Sequence, residues 1–371
     1  ANTLRLAISG QLGPNALTSD EMLESLSLCT SCKGCRRECP TGVDMARMKV
    51  EVLAARRAKK GLSFPDKLVG YLPRYAPILA KAPFLANSRN RLPGLAAITE
   101  GITGLSRKRD IPTWSSKPFR DAEAGAADPD VILFADTFNR YFDPGVLRAA
   151  TILLQKAGLK VQTARPLNGK RALDCGRTFL SVGAIDEAKQ EAERLIASVL
   201  PHVRRGVPVI GLEPASLLGL KDEIPAMLQN AGTELVAQNA MLFEEFFVKN
   251  PNTRALSFKP LGRHILLHGH CHQKAHDVLK YTEKALELIP ETETTLIDSS
   301  CCGGAGGFGY GKNTAEISLM MAEQALFPAI RGADSASLIV ANGFSCRHQI
   351  TSGLGSNVFH VAEILLMGLS D

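Results

Sequence analysis

No apolar run in the 371 residues reaches the roughly 18 needed to span a bilayer, so no transmembrane anchor is expected. The first 20 residues, ANTLRLAISGQLGPNALTSD, lack the basic start and apolar stretch of a secretory signal. Together these absences point to the cytoplasm, with a peripheral position at the inner membrane still open. An initiator Met is also lacking, and the chain runs at once into a helical approach to Cys29. Ala1 is therefore expected to begin a fragment or a processed piece. Residues 61–120 hold ten Lys or Arg against three Asp or Glu but carry neither a zinc finger nor an RNA-binding signature. Their charge reads as a solvated or docking face, and no nucleic-acid partner is expected.

What is present is ordinary globular composition, 45% hydrophobic and 22% charged, in a chain long enough for two or three domains. Its nine cysteines are an odd number, and four of them crowd into CTSCKGCRRECP at Cys29, Cys32, Cys35 and Cys39. Such crowding suits no sensible disulfide framework and argues for metal. The spacing C-x-x-C-x-x-C-x-x-x-C-P is the bacterial ferredoxin pattern, in which close thiolates ligate neighbouring irons of a [4Fe–4S] cube and the fourth reaches another cluster. A zinc knuckle would normally show C-x-x-C pairs split by a longer loop. Cys39 is thus expected to serve a second cube whose other ligands lie upstream of Ala1 or on another subunit; otherwise it closes a single cluster here.

Asp44 stands as N-cap to MARMKVEVLAARRAKK, which carries basic residues in its last turn and Gly61 as its stop. Beyond it, seven prolines (Pro65, Pro73, Pro77, Pro83, Pro93, Pro112 and Pro118) interrupt short apolar pieces, which predicts a partly helical connector packed on a neighbour by Trp114. From Asp130 the pattern becomes α/β: VILFAD as strand, FDPGVLRAATILLQKAG as helix and LKVQT as strand, an order that recurs from Arg263. Overlaying the halves puts Asp174-Cys175-Gly176 on Cys301-Cys302-Gly303, and Ser216 on Cys346; the intervals are 41 and 44 residues. Only the second copy keeps its thiols, at Cys271, Cys301, Cys302 and Cys346. Each follows a predicted strand, where open α/β sheets place their ligands.

Cys301 and Cys302 can share a centre only if the backbone turns sharply, which the following glycines allow. The alternative is that these thiols are buried small hydrophobes, and for Cys175 that is the expected state. The alternation of His268, His270 and His272 predicts one shared face of a strand, with Cys271 on the other. Their expected role is support of a redox site, ahead of direct ligation. GGAGGFGYGK lacks the G-K-[ST] ending of a phosphate loop.

Through CTSCKGCRRECPTGVDMARMK, HGHCHQKA, CCGGAGGFGY and NGFSCRHQ the sequence resembles the C-terminal iron–sulfur part of fused bacterial FAD-linked D-2-hydroxyacid (D-2-hydroxyglutarate or D-lactate) dehydrogenases. It is also similar to the CCG domains of heterodisulfide reductases. The resemblance implies an α-helical ferredoxin-like segment followed by a duplicated α/β CCG (cysteine-rich) domain. The expected divisions are 1–60 for the ferredoxin-type segment, 61–128 for the basic connector, 129–260 for a degenerate first CCG repeat and 261–371 for the second. It further implies [4Fe–4S] ligation by Cys29, Cys32, Cys35 and Cys39, and a second redox or metal site at Cys271, Cys301, Cys302 and Cys346. The motif of heterodisulfide reductase ends C-x-x-C, whereas this one ends Cys346-Arg347-His348-Gln349, which leaves a noncubane cluster, a simpler iron site and zinc open. FAD is expected on an upstream domain or partner subunit, because no flavin-binding or substrate-binding domain is visible. A quinone or an electron-transfer protein would take the electrons. The rival functions are a heterodisulfide-reductase-like subunit with its own disulfide chemistry and a zinc-stabilised docking module.

Overall fold

The computed structural model describes residues 1–169 and 171–370. The chain begins with short helices around the first cysteine group. Ser19 caps helix Asp20–Ser27 by accepting from Met22 N, and Asp44 caps helix Met45–Lys60 by accepting from Ala46 N and Arg47 N. That second helix stops at Gly61, whose φ of 75° suits a residue without Cβ. The connector is more helical than its prolines suggest. Pro65, Pro73 and Pro83 sit in the first turns of Phe64–Gly70, Leu72–Leu79 and Pro83–Ala86, where a missing N–H costs nothing, so they start helices rather than break them. Trp114 packs on Phe142 with ring centroids 4.4 Å apart, fastening the connector to the α/β part.

Among the described residues eight short strands form two parallel sheets. The first contains β1 Val131–Phe134, β2 Val161–Thr163, β3 Val209–Gly211 and β4 Ala240–Leu242, in the order β2-β1-β3-β4. The second contains β5 Ile265–His268, β6 Thr294–Leu296, β7 Leu338–Ala341 and β8 Val358–Phe359, in the order β6-β5-β7-β8. The two orders are the same once the second set is renumbered. Central strands β1, β3, β5 and β7 are buried along their whole length, as parallel strands covered on both faces must be.

Strand alternation decides how the sheets meet. Val131 and Leu133 of β1, Ile265 and Leu267 of β5, and Leu338 and Val340 of β7 point into one shared core. Ile132 and Phe134 point into a core belonging to the first sheet, and Leu266, Ile339 and Ala341 into one belonging to the second. Helix packing across the shared core is reciprocal. Pro144–Lys156, which follows β1, lies on Val361–Gly368 after β8, and Phe243–Lys249 after β4 lies on Lys280–Leu286 after β5.

Candidate metal centre

The first cysteine group sits on a turn held in place by charge. Ser31 and Lys33 both adopt the left-handed region, with φ of 56° and 60°, which a side chain disfavours. Lys33 is almost wholly buried, and its Nζ lies 2.9 Å from Asp44, 2.6 Å from Asp222 and 3.0 Å from Glu223. Burial alone would lower the pKa of this amine, but the charges of Glu223, Asp222 and Asp44 hold it above its ordinary value. Arg36 and Arg47 also pair with Asp222, and Arg177 with Glu223 at 2.6 Å. The turn is thereby fastened to a helix start some 190 residues away in sequence.

The four thiols of this group, Cys29, Cys32, Cys35 and Cys39, are all half-buried. Met45 N donates to Cys35 Sγ at 3.4 Å, and Cys39 Sγ lies 3.1 Å from Thr41 Oγ1. That hydroxyl, with backbone N–H groups, lowers the Cys39 pKa, whereas burial raises that of Cys32. Among the described residues this group does not form a tight single-ion set.

The second group is tighter. Cys302 Sγ lies 3.4 Å from Cys346 Sγ, and with His268 these residues present ligand atoms all within 4.8 Å of one another. Cys271 and Cys302 both act on the Cys301 thiol, and Cys302 donates to Cys346. Cys271 and Cys302 pull Cys301 toward the thiolate, the form that binds metal, and Cys302 does the same to Cys346, while Cys271 and Cys302 themselves are held above the ordinary thiol value. Backbone N–H groups of Gly303 and Gly304 add further bonds, each 3.4 Å, to Cys301 and Cys302. The sharp turn here needs Gly303: its φ is 81°, and a Cβ would lie 2.3 Å from Ser318 O.

Topology brings these residues together. Strand β5 lies between β6 and β7, so Cys271 after β5, Cys301 and Cys302 after β6, and Cys346 after β7 occupy one edge of a parallel sheet. The corresponding place in the first half holds Thr137 bonded to Asp174 at 2.6 Å, and Cys175 bonded to Ser216. Cys175 is buried among apolar side chains, and that burial pushes its pKa up, away from the thiolate.

The histidines depart from expectation. Strand β5 ends at His268, and Cys271 begins helix Cys271–Ala275, so the two-residue period stops before it can set a common face. His268 Nδ1 lies 2.9 Å from Ser299 Oγ, leaving its buried Nε2 without a hydrogen-bond partner beside Cys302 and Cys346. That orientation suits a metal ligand whose other ring nitrogen is fixed by a hydroxyl. His270 instead caps the helix by accepting from His272 N, and His272 Nε2 lies 3.1 Å from Ser31 O. Burial lowers the pKa of both rings, which favours the neutral form.

The two cysteine groups are neighbours. Thr30 Oγ1 lies 3.8 Å from Cys301 Sγ, the charge of Cys301 acts on Cys32, and helix Gly34–Glu38 packs on helix Cys271–Ala275. Sequence reasoning found the thiols but not Lys33, Asp222, Glu223 or Arg177, which hold them together. Only the position of Lys33 inside the cysteine motif hinted at it.

Two neighbouring cysteine groups, one on a tight turn and one at a sheet edge, suit an iron–sulfur protein, and comparison with known proteins agrees with that coarser class. No family model matches the chain. Over 88% of its length it is 25% identical to one subunit of the anaerobic glycerol-3-phosphate dehydrogenase of Escherichia coli K12, and it covers 81% of that subunit. Over 94% of its length it is 26% identical to the D-2-hydroxyglutarate dehydrogenase of the same strain, but it spans only 35% of that protein. It is also 23% identical, over 78% of this chain and 50% of the relative, to an uncharacterized iron–sulfur protein of Methanocaldococcus jannaschii. The resemblance drawn from the cysteine motifs therefore extends over most of the chain.

Proposed function

We propose that the chain is the iron–sulfur electron-transfer part of a flavin-linked dehydrogenase. It would take electrons from an FAD-bearing domain or partner subunit and pass them to a quinone or an electron-transfer protein. The contact between Thr30 and Cys301 carries this reading, because it sets the two thiol groups side by side in the manner of consecutive stations on one electron path. A cube and an iron centre, when bound, accept from a reduced flavin single electrons that hydride transfer delivers as a pair.

In this reading Cys29, Cys32 and Cys35 hold a [4Fe–4S] cluster, and Cys39 holds a second with ligands from elsewhere. Cys271, Cys301, Cys302 and Cys346, with His268, hold an iron centre. Orphaned His268 Nε2, the N–H bonds to sulfur and the thiolate character of Cys301 and Cys346 all suit a cationic or cluster occupant. Iron is preferred to zinc because a redox-inactive ion beside the cube would end the path. Lys33 and its acidic partners keep the ferredoxin-type turn seated, and helices Gly34–Glu38 and Cys271–Ala275 exclude water between the groups.

We read the α/β part as a duplicated CCG domain with a degenerate first repeat. Support comes from the shared strand order, and from Thr137, Asp174, Cys175 and Ser216 standing where the second half has its four thiols. D-2-Hydroxyacids are the proposed substrate class of the complete enzyme. A cytoplasmic protein with a peripheral place at the inner membrane is the proposed location. Among the described residues no helix is long and apolar enough to cross a membrane. The exposed side chains Ile78, Phe84, Leu85, Ile98 and Ile102, within the basic connector, suit docking at an anionic surface. Iron and acid-labile sulfide analysis of anaerobically purified protein tests the assignment. Iron with sulfide supports it, and zinc without sulfide overturns it.

A further inference from the structure

Arg109 enters the second cysteine site from the connector, 193 residues before Cys302 in the sequence. Its backbone is fixed beside the glycine-rich turn: Ser106 N donates to Tyr310 O at 2.7 Å, and Lys312 N to Gly104 O at 2.8 Å. The Arg109 side chain is only 5% exposed. Nη2 donates to Gln349 Oε1, and the guanidinium carbon lies 5.5 Å from the centre of the Tyr310 ring. Nε and Nη1 are buried with no hydrogen-bond partner.

The surroundings of this cation are informative. Among the described residues no carboxylate pairs with Arg109, and Gln349, which takes its Nη2, lies on helix Phe344–Leu354 three residues after Cys346. A buried guanidinium facing no anion is unfavourable, and the cysteine site bordered by Gln349 is where a thiolate-ligated centre, when bound, would supply the negative charge. Gln349 occupies the position where the related C-x-x-C motif has its last thiol. Its amide nitrogen donates to Ser318 O at 3.0 Å, and its oxygen is taken by Arg109. That amide oxygen stands beside Gly304, where a Cβ would lie 3.4 Å from it, and Gly304 N donates to Cys302 Sγ at 3.4 Å, so Gln349 holds the cation at the border of the cysteine site.

We propose that Arg109 is the buried countercharge of the centre at Cys271, Cys301, Cys302 and Cys346, and that it raises the reduction potential of that centre. The proposal rests on that site being a redox-active iron centre. Reduction adds negative charge, and a fixed cation in a poorly solvated site favours the more negative state. Arg109 is a positioning and electrostatic residue, not a ligand.

The test is an anaerobic redox titration of the full chain with both centres loaded, followed by electron paramagnetic resonance, in native protein, R109Q and R109K. R109Q is expected to lower the equilibrium constant for reduction of this centre about tenfold, or about 59 mV for one electron, while R109K restores most of the loss and the cube shifts less. An unchanged midpoint in loaded R109Q overturns the proposal. Metal lost from this site in R109Q but kept in R109K supports it, because Lys keeps the charge that Gln removes although neither reproduces the guanidinium's shape. Metal lost in both overturns it in favour of a packing role. Native protein with no redox-active second centre overturns the underlying reading and the proposal with it, a result recognisable before any variant is made.

Discussion

Thr30 Oγ1 and Cys301 Sγ lie 3.8 Å apart although 271 residues separate them in sequence. The hydroxyl belongs to the turn that carries Cys29 and Cys32, and the thiol to the turn after β6. The turn that carries the first cysteine group thus rests directly on the second.

Replacing Cys29, Cys32 or Cys35 singly by Ser is expected to abolish the low-potential [4Fe–4S] signal in electron paramagnetic resonance, because oxygen is a poor substitute for the lost thiolate. Cys175→Ser should leave the iron content as it is, since that thiol sits in an apolar cluster and bonds Ser216. A full cubane signal in all three first variants, or iron lost with Cys175→Ser, contradicts the site assignment.

Lys33→Met should destabilise the chain by about 3–5 kcal/mol, because it leaves the buried carboxylates of Asp222 and Glu223 short of their shared cation. Urea unfolding under anaerobic conditions measures this. A loss below about 1 kcal/mol would mean that Arg36, Arg47 and Arg177 carry the network without Lys33.

Glu187 gives a pH signature. Burial would raise its pKa, but hydrogen bonds from Arg57 and Tyr71 prevail and bring it to about 2, below the ordinary value of 4.5. A carboxyl lowered on folding contributes stability that is present above the unfolded pKa and is lost as pH falls through the folded one. Native protein should therefore lose stability between about pH 4.5 and pH 2 more steeply than Glu187→Gln. Parallel stability curves for the two proteins would show that the contact contributes nothing.

This chain alone should show no oxidation of D-2-hydroxyacids with an artificial electron acceptor, and supplying the FAD-bearing portion should restore it. Turnover by the chain without flavin would refute an electron-transfer role.

Features set by neighbouring residues were legible in the sequence. The helix from Met45 to Lys60 is announced by its Asp44 cap and Gly61 stop, both local signals. The place of Cys271, Cys301, Cys302 and Cys346 at one sheet edge follows from parallel strands that end together, and Gly303 supplies the turn that the adjacent pair needs, whereas the tight set of His268, Cys302 and Cys346 was not legible. The histidine pattern misled because a period of two holds only while the strand lasts, and β5 ends at His268. Prolines in the connector were ambiguous for a related reason: the same residue that breaks a helix inside begins one at its first turn. Lys33 and Arg109 were illegible, since their partners Asp222, Glu223 and Gln349 lie far along the chain and carry no motif.

The most direct measurement of the central claim is the electron paramagnetic resonance spectrum of fully reduced, anaerobically reconstituted protein, compared with Cys346→Ser. Two adjacent iron centres predict a cubane signal broadened or split by a second paramagnet, and a simple, unsplit cubane signal in the variant. An unsplit spectrum in native protein, identical to that of Cys346→Ser, would contradict an electron path running from the first cysteine group to the second.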